Sequence, residues 1–138
     1  WGIELYMHKK DITLLESSID ISKMYGLENY EGSPYPKHFL EQGDVLTFGK
    51  SNFKILFTPG HSPGHICLYN EENNLLVAGD TIFQKSIGRT DLPGGDYDTL
   101  IHSITNQLLI LPNETQIFSG HGPISNIGFE KKHNPFLQ

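Results

Sequence analysis

Apolar runs in this chain are short and are closed off by glycine, proline or small polar clusters, so it can only fold as short strands and helices packed in layers. Ile3 to Met7 reads as a strand. Ile12 to Tyr25 carries apolar residues at 12, 15, 19, 21, 24 and 25 with Gly26 behind them, which predicts a helix and its stop. Pro34 and Pro36 deny residues 31–36 a regular ladder. Val45 to Phe48 and Phe53 to Phe57 flank Gly49-Lys50-Ser51-Asn52, and Ile66 to Tyr69 and Leu75 to Ala78 flank residues 70–74. Both pairs read as hairpins. After a Gly-rich loop, Leu100, Ile101, Ile104, Leu108 and Leu111 share one face of a second helix, which Pro112 ends. Gln116 to Ser119 reads as a last strand, followed by a short helix near Gly128 to Lys132. The order predicts an α/β layer fold, and a length of 138 residues suits a single domain over 1–138.

Composition narrows the partners. Hydrophobic residues at 37% and charged residues at 19% describe a folding chain rather than a disordered one. The net charge is −6, and lysines and arginines are scattered apart from Lys9-Lys10 and Lys131-Lys132. Such a surface releases few counterions from a polyanion, which excludes nucleic acid as the partner. No apolar run approaches the ~20 residues of a membrane span. The single Cys67 cannot form an internal disulfide, in keeping with a reducing, cytoplasmic setting. Within its apolar strand it reads as a small buried hydrophobe.

Three polar residues stand where strands run out into loops, each directly after a glycine: His61, Asp80 and His121. Glycine lets the backbone turn sharply and approach a bound atom closely. Two imidazoles and a carboxylate are donors that Zn²⁺, Fe or Mn accept. A carboxylate can also bridge two ions ~3.5–4 Å apart that activate one water, which gives Asp80 the bridging role. Singly, each residue reads as an ordinary turn or surface group; it is the set of three that points to a metal site. His102 falls on the polar side of the second helix, His38 and His133 have no partner pattern, and His8 and Tyr97 read as structural residues.

Four stretches carry a closer likeness. Thr58-Pro59-Gly60-His61-Ser62-Pro63-Gly64-His65, Gly79-Asp80-Thr81-Ile82-Phe83, Gly88-Arg89-Thr90-Asp91 and Gly120-His121-Gly122-Pro123 resemble, in order, the downstream motifs of the metallo-β-lactamase superfamily, and within it the glyoxalase II-like branch. The resemblance implies an αββα sandwich with a dinuclear site whose ligands include His61, Asp80 and His121. His65 matches a position that supports the site without binding metal. Arg89, with Asp91, would meet an anionic substrate group, or the two would simply pair with each other.

The implied activity is hydrolysis of a small molecule by metal-activated water. A thioester such as an S-2-hydroxyacylglutathione is the first substrate, and two zinc ions per full-length chain are the cofactor. A persulfide dioxygenase holding one iron is the alternative within the superfamily, and a non-catalytic scaffold is the alternative outside it. The family's His-x-His-x-Asp-His motif is absent, because no two of the seven histidines are separated by one residue. These 138 residues therefore read as the C-terminal portion of such a domain, inactive alone and open to self-association through an exposed sheet edge.

Overall fold

The structure, a computed structural model, describes residues 2–27 and 29–138; Trp1 and Glu28 lie outside the described residues. The chain forms two compact units, Trp1–Leu40 and Glu41–Gln138.

In the first unit, β1 (Tyr6–Met7) pairs in parallel with β2 (His38–Phe39), and α1 (Ile12–Met24) follows a 3₁₀ turn at Lys9–Asp11. The strand expected from Ile3 contracts to two residues, because its β2 partner offers only two positions and Ile3 is 79% exposed. Helix α1 ends where Gly26 adopts φ +74, as its sequence predicts. His38, which showed no partner in the sequence, pairs with Glu4 at 2.6 Å and stacks on Tyr6. His8 caps the 3₁₀ turn by accepting the Lys10 N–H.

The second unit holds a six-stranded sheet built from β3 (Val45–Phe48), β4 (Ser51–Phe57), β5 (Ile66–Asn70), β6 (Leu75–Gly79), β9 (Gln116–Ser119) and β10 (Ser125–Asn126). Strands β3 to β6 form an antiparallel meander, β9 lies parallel to β6, and β10 pairs antiparallel with β9 on the far side. The first hairpin is tighter than expected. Phe48 pairs with Ser51, which leaves Gly49 and Lys50 as a two-residue turn, and Gly49 at φ +61 supplies the left-handed residue such a turn requires.

A second, two-stranded ladder, β7 (Ile82–Phe83) with β8 (Ser86–Ile87), occupies what read as featureless Gly-rich loop. Helix α2 (Tyr97–Ser103) runs on into a π turn at Ile104–Leu108, and α3 is Ile127–His133.

One face of the sheet carries Leu56, Cys67, Leu76, Ala78 and Ile117, packed with Leu100, Ile104 and Leu108 from α2 and its π turn and with Ile127 from α3. Each of the large aliphatic residues here contributes about 1.5–3 kcal/mol through burial. The other face is apolar but less covered, with Leu68 and Phe118 half-buried and Val77 39% exposed. Among the described residues, no helix is long and apolar enough to cross a membrane.

Strand direction is what matters for the site. Antiparallel pairing from β4 through β5 to β6 turns the chain twice, so β4 and β6 run the same way, and β9 runs with them. The C-terminal ends of all three therefore open at one end of the sheet. His61, Asp80 and His121 are the residues that follow those ends.

Candidate metal centre

Adjacent parallel strands are ~4.8 Å apart, so β6 and β9 deliver their following residues side by side. The join is tight: the Gly120 N–H donates to the Gly79 carbonyl at 2.7 Å. A Cβ on Gly120 would collide with Asp80 Oδ1, so the absence of a side chain there lets the Asp80 carboxylate lie against the β9 exit. Gly88 is packed as closely on the Asp80 backbone carbonyl, again leaving no room for a Cβ.

Strand β4 lies two places from β6, and the His61 loop has to bend back to reach the same point. Gly60 makes the bend at φ +131 against α2, where any Cβ would run into the backbone of Leu100. Helix α2 clips the loop in place. Its Asp96 N–H donates to the Gly60 carbonyl at 2.8 Å, and Ser103 Oγ–H donates to the Pro59 carbonyl at 2.7 Å.

The result is a cavity of about 340 Å³ walled by His61, Asp80, His121, Phe83, Ile87 and Arg89, among others. That volume suits a small molecule. His61 Nδ1 lies 2.9 Å from the Arg89 carbonyl, which can only accept, so Nδ1 carries a proton and Nε2 is the ring nitrogen left to meet a cation. His61 Nε2 stands 3.7 Å from Asp80 Oδ2, within ion-pair reach but beyond hydrogen-bond range. Two donors on one tetrahedral ion with bonds of ~2.0–2.2 Å stand roughly 3.4 Å apart, so the His61 and Asp80 pair fits a shared divalent cation.

His121 lines the same cavity, with its ring stacked on Phe83 at 4.4 Å and 26° between planes. Among the described residues, no group of three His, Cys, Asp or Glu is close enough to form a ready cage. The structure thus brings His61 and Asp80 together and sets His121 on the cavity wall against Phe83.

His65 stands behind Asp80. Its Nε2 accepts the Asp80 backbone N–H at 3.1 Å, and its Nδ1 lies 3.0 Å from the hydroxyls of both Thr58 and Thr81. Gly79 leaves the space for that ring, since a Cβ there would come within 2.7 Å of His65 Nε2. Cys67 sits beneath the same two threonines and is fully buried, and burial pushes its thiol up to about 11.

At the rim, Arg89 makes a two-pronged ion pair with Asp91, both contacts 2.8 Å. The hydrogen bond from Arg89 holds the Asp91 carboxyl down at about 2. The guanidinium is therefore engaged by Asp91, while the Arg89 carbonyl serves His61. His102 is exposed, and Tyr97 opens α2 at 48% exposure. Phe83 was inside a motif legible in the sequence, but nothing there marked its ring as a partner of His121.

A sequence model of the Metallo-beta-lactamase superfamily matches residues 1–121, most of the chain. The chain belongs to this superfamily. Its relatives include the hydroxyacylglutathione hydrolase GloC of Haemophilus influenzae, 42% identical over 138 residues, covering 99% of this chain and 65% of GloC. Among solved structures it is similar to BLEG-1 B3 metallo-beta-lactamase, with a TM-score of 0.88 at 41% identity over 99% of this chain and 66% of that one. The same TM-score relates it to TTHA1623 in a di-iron-bound form, at 40% identity over 98% of this chain and 65% of that one. The α/β fold agrees with these superfamily neighbours. The chain spans slightly less than two thirds of GloC's length.

Proposed function

We propose that the whole protein to which these residues belong is a metal-dependent hydrolase of the glyoxalase II-like branch, acting on a thioester such as an S-2-hydroxyacylglutathione. The observation that carries this reading is the delivery of His61, Asp80 and His121 by three co-directional strand ends to one small-molecule cavity. The similarity to GloC supports the substrate class. His61 Nε2, the Asp80 carboxylate and His121 would hold the cation. A bound divalent cation there would lower the pKa of a coordinated water toward ~7 and polarise the carbonyl under attack.

The chain's own residues prepare the site for that chemistry. The Arg89 carbonyl orients the His61 ring through Nδ1, His65 holds the Asp80 backbone, and Ile87 and Phe83 give the cavity an apolar wall. Arg89, at the rim, would meet an anionic part of the substrate by giving up its pairing with Asp91. Zinc is the first choice of metal, and the di-iron form of TTHA1623 favours iron as the second. With His61, Asp80 and His121 as donors, residues 1–138 alone would hold a single cation weakly and turn over little substrate.

Elemental mass spectrometry on the full-length protein, paired with a thioester hydrolysis assay, tests the reading. About two zinc or iron ions per chain, with both metal content and hydrolysis lost in His61→Ala, is the expected result. Metal content unchanged in His61→Ala would sink the ligand assignment. A single iron, with sulfur oxygenation in place of hydrolysis, would make the protein the persulfide dioxygenase alternative.

A further inference from the structure

Glu130 belongs to the run Glu130-Lys131-Lys132 on α3, a polar stretch of helix, yet it is completely buried. A buried carboxylate is costly unless its oxygens are hydrogen-bonded, and here both are. Oε1 accepts from the Ser125 hydroxyl, while Oε2 accepts from the Lys85 backbone N–H and from Asn134 Nδ2, each at 2.9 Å. Asn134, also fully buried, donates to the Ser86 carbonyl at 2.9 Å as well. The two residues therefore grip the β7–β8 turn at successive backbone positions. Lys85, in that turn, holds φ +58, a left-handed conformation that a non-glycine residue keeps only when its surroundings enforce it.

The two oxygens of Glu130 reach two different segments adjoining the cavity wall. One holds the hairpin that carries Phe83, whose ring stacks on His121. The other holds Ser125, just beyond the Gly120-His121-Gly122-Pro123 loop. A well-packed apolar residue of similar volume often serves stability as well as a buried charge does. What the carboxylate adds is the joining of these two backbone segments.

We infer that Glu130 is a positioning residue for His121: it ties the β7–β8 turn to the segment behind the His121 loop, so that Phe83 sets the plane of the imidazole at the cavity. The inference rests on reading His121 as a cation ligand and deepens that reading. Groups that orient a metal-binding histidine typically change metal affinity by about 10–100-fold.

Two measurements on the full chain test it, one of which needs no cation. In the metal-free protein, the His121 ring protons should show an NMR shift from the Phe83 ring current. Zinc affinity follows from competition with a chromophoric chelator. Glu130→Leu should abolish the ring shift and weaken zinc binding about tenfold or more. Glu130→Gln keeps an oxygen for Lys85 and Asn134 and can donate to the Ser125 hydroxyl, so it should preserve both readouts. Ser125→Ala cuts one arm and should give a smaller loss in both, which keeps the test open if Glu130→Leu does not fold.

Wild-type shift or wild-type zinc affinity in Glu130→Leu, or in Ser125→Ala where the former is not recovered folded, would overturn the inference. Equal losses in Glu130→Gln and Glu130→Leu would overturn it too. A ring shift lost in Glu130→Leu while the wild-type protein itself binds no zinc would uphold the positioning role and remove the ligand reading beneath it.

Discussion

Cys67 shows how much of this site is decided one side chain at a time. Its thiol lies under Thr58 and Thr81 and donates toward the Ala78 carbonyl at 3.4 Å, sealed from solvent. Burial is the main cause of a folded value of about 11 against an ordinary 9.0. The unfolded thiol ionises first as pH rises, so the stabilisation is complete below pH 9 and is lost as pH climbs through 11. Its full size is about 3 kcal/mol. Denaturant titrations from pH 8 to 11 should show a decline that Cys67→Ala lacks, and thiol reagents at pH 8 should label Cys67 only after unfolding.

Asp91 behaves in the opposite sense: its partner Arg89 holds it low, so the pair is intact above the ordinary carboxylate value of 3.8 and is lost only as pH falls through about 2. If Arg89 meets an anionic substrate, Asp91→Asn should lower KM for that substrate at neutral pH with kcat little changed. An unmoved KM would assign the pair to loop structure alone. Gly120→Ala is a further test, since its methyl would displace the Asp80 carboxylate. Metal content should fall in that variant while the far-UV spectrum is kept.

At the scale of elements, the sequence was most legible where side-chain period and glycine placement agree. The meander β3 to β6, the last strand at Gln116–Ser119 and the glycines before His61, Asp80 and His121 all follow from such signals. What stayed hidden had no local signature. The β7–β8 hairpin offers two residues per strand, and its left-handed turn residue is a lysine rather than a glycine or asparagine. Glu130 reads as a solvated helix charge because its neighbours are lysines; only tertiary packing buries it. The π turn at Ile104–Leu108 also escapes a periodicity reading, yet it keeps Ile104 and Leu108 fully buried while leaving Ile110 72% exposed. Helix α2 has a second task in anchoring the His61 loop. Ser103→Ala should lower stability by about 1 kcal/mol through its lost bond to the Pro59 carbonyl. It should also weaken metal binding more than a helix-surface substitution such as Asn106→Ala does.

For the whole molecule, strand β3 closes one side of the six-stranded sheet with Val45 58% and Phe48 60% exposed. Such an edge pairs readily with another chain. Sedimentation of residues 1–138 should show concentration-dependent association that Val45→Lys weakens, and a monomer at all concentrations would set this aside. The parallel pairing of β6 with β9 has a different kind of consequence. Residues 80–115 must all be traversed before β9 can dock beside β6, and a parallel pair of this kind closes slowly because its chain entropy is given up before any contact forms. Asp80 and His121 come to the same cavity only at that moment. If the site takes a cation as proposed, ion capture would be a clock for the last stage of folding, and in a stopped-flow experiment it should lag the burial of the meander core.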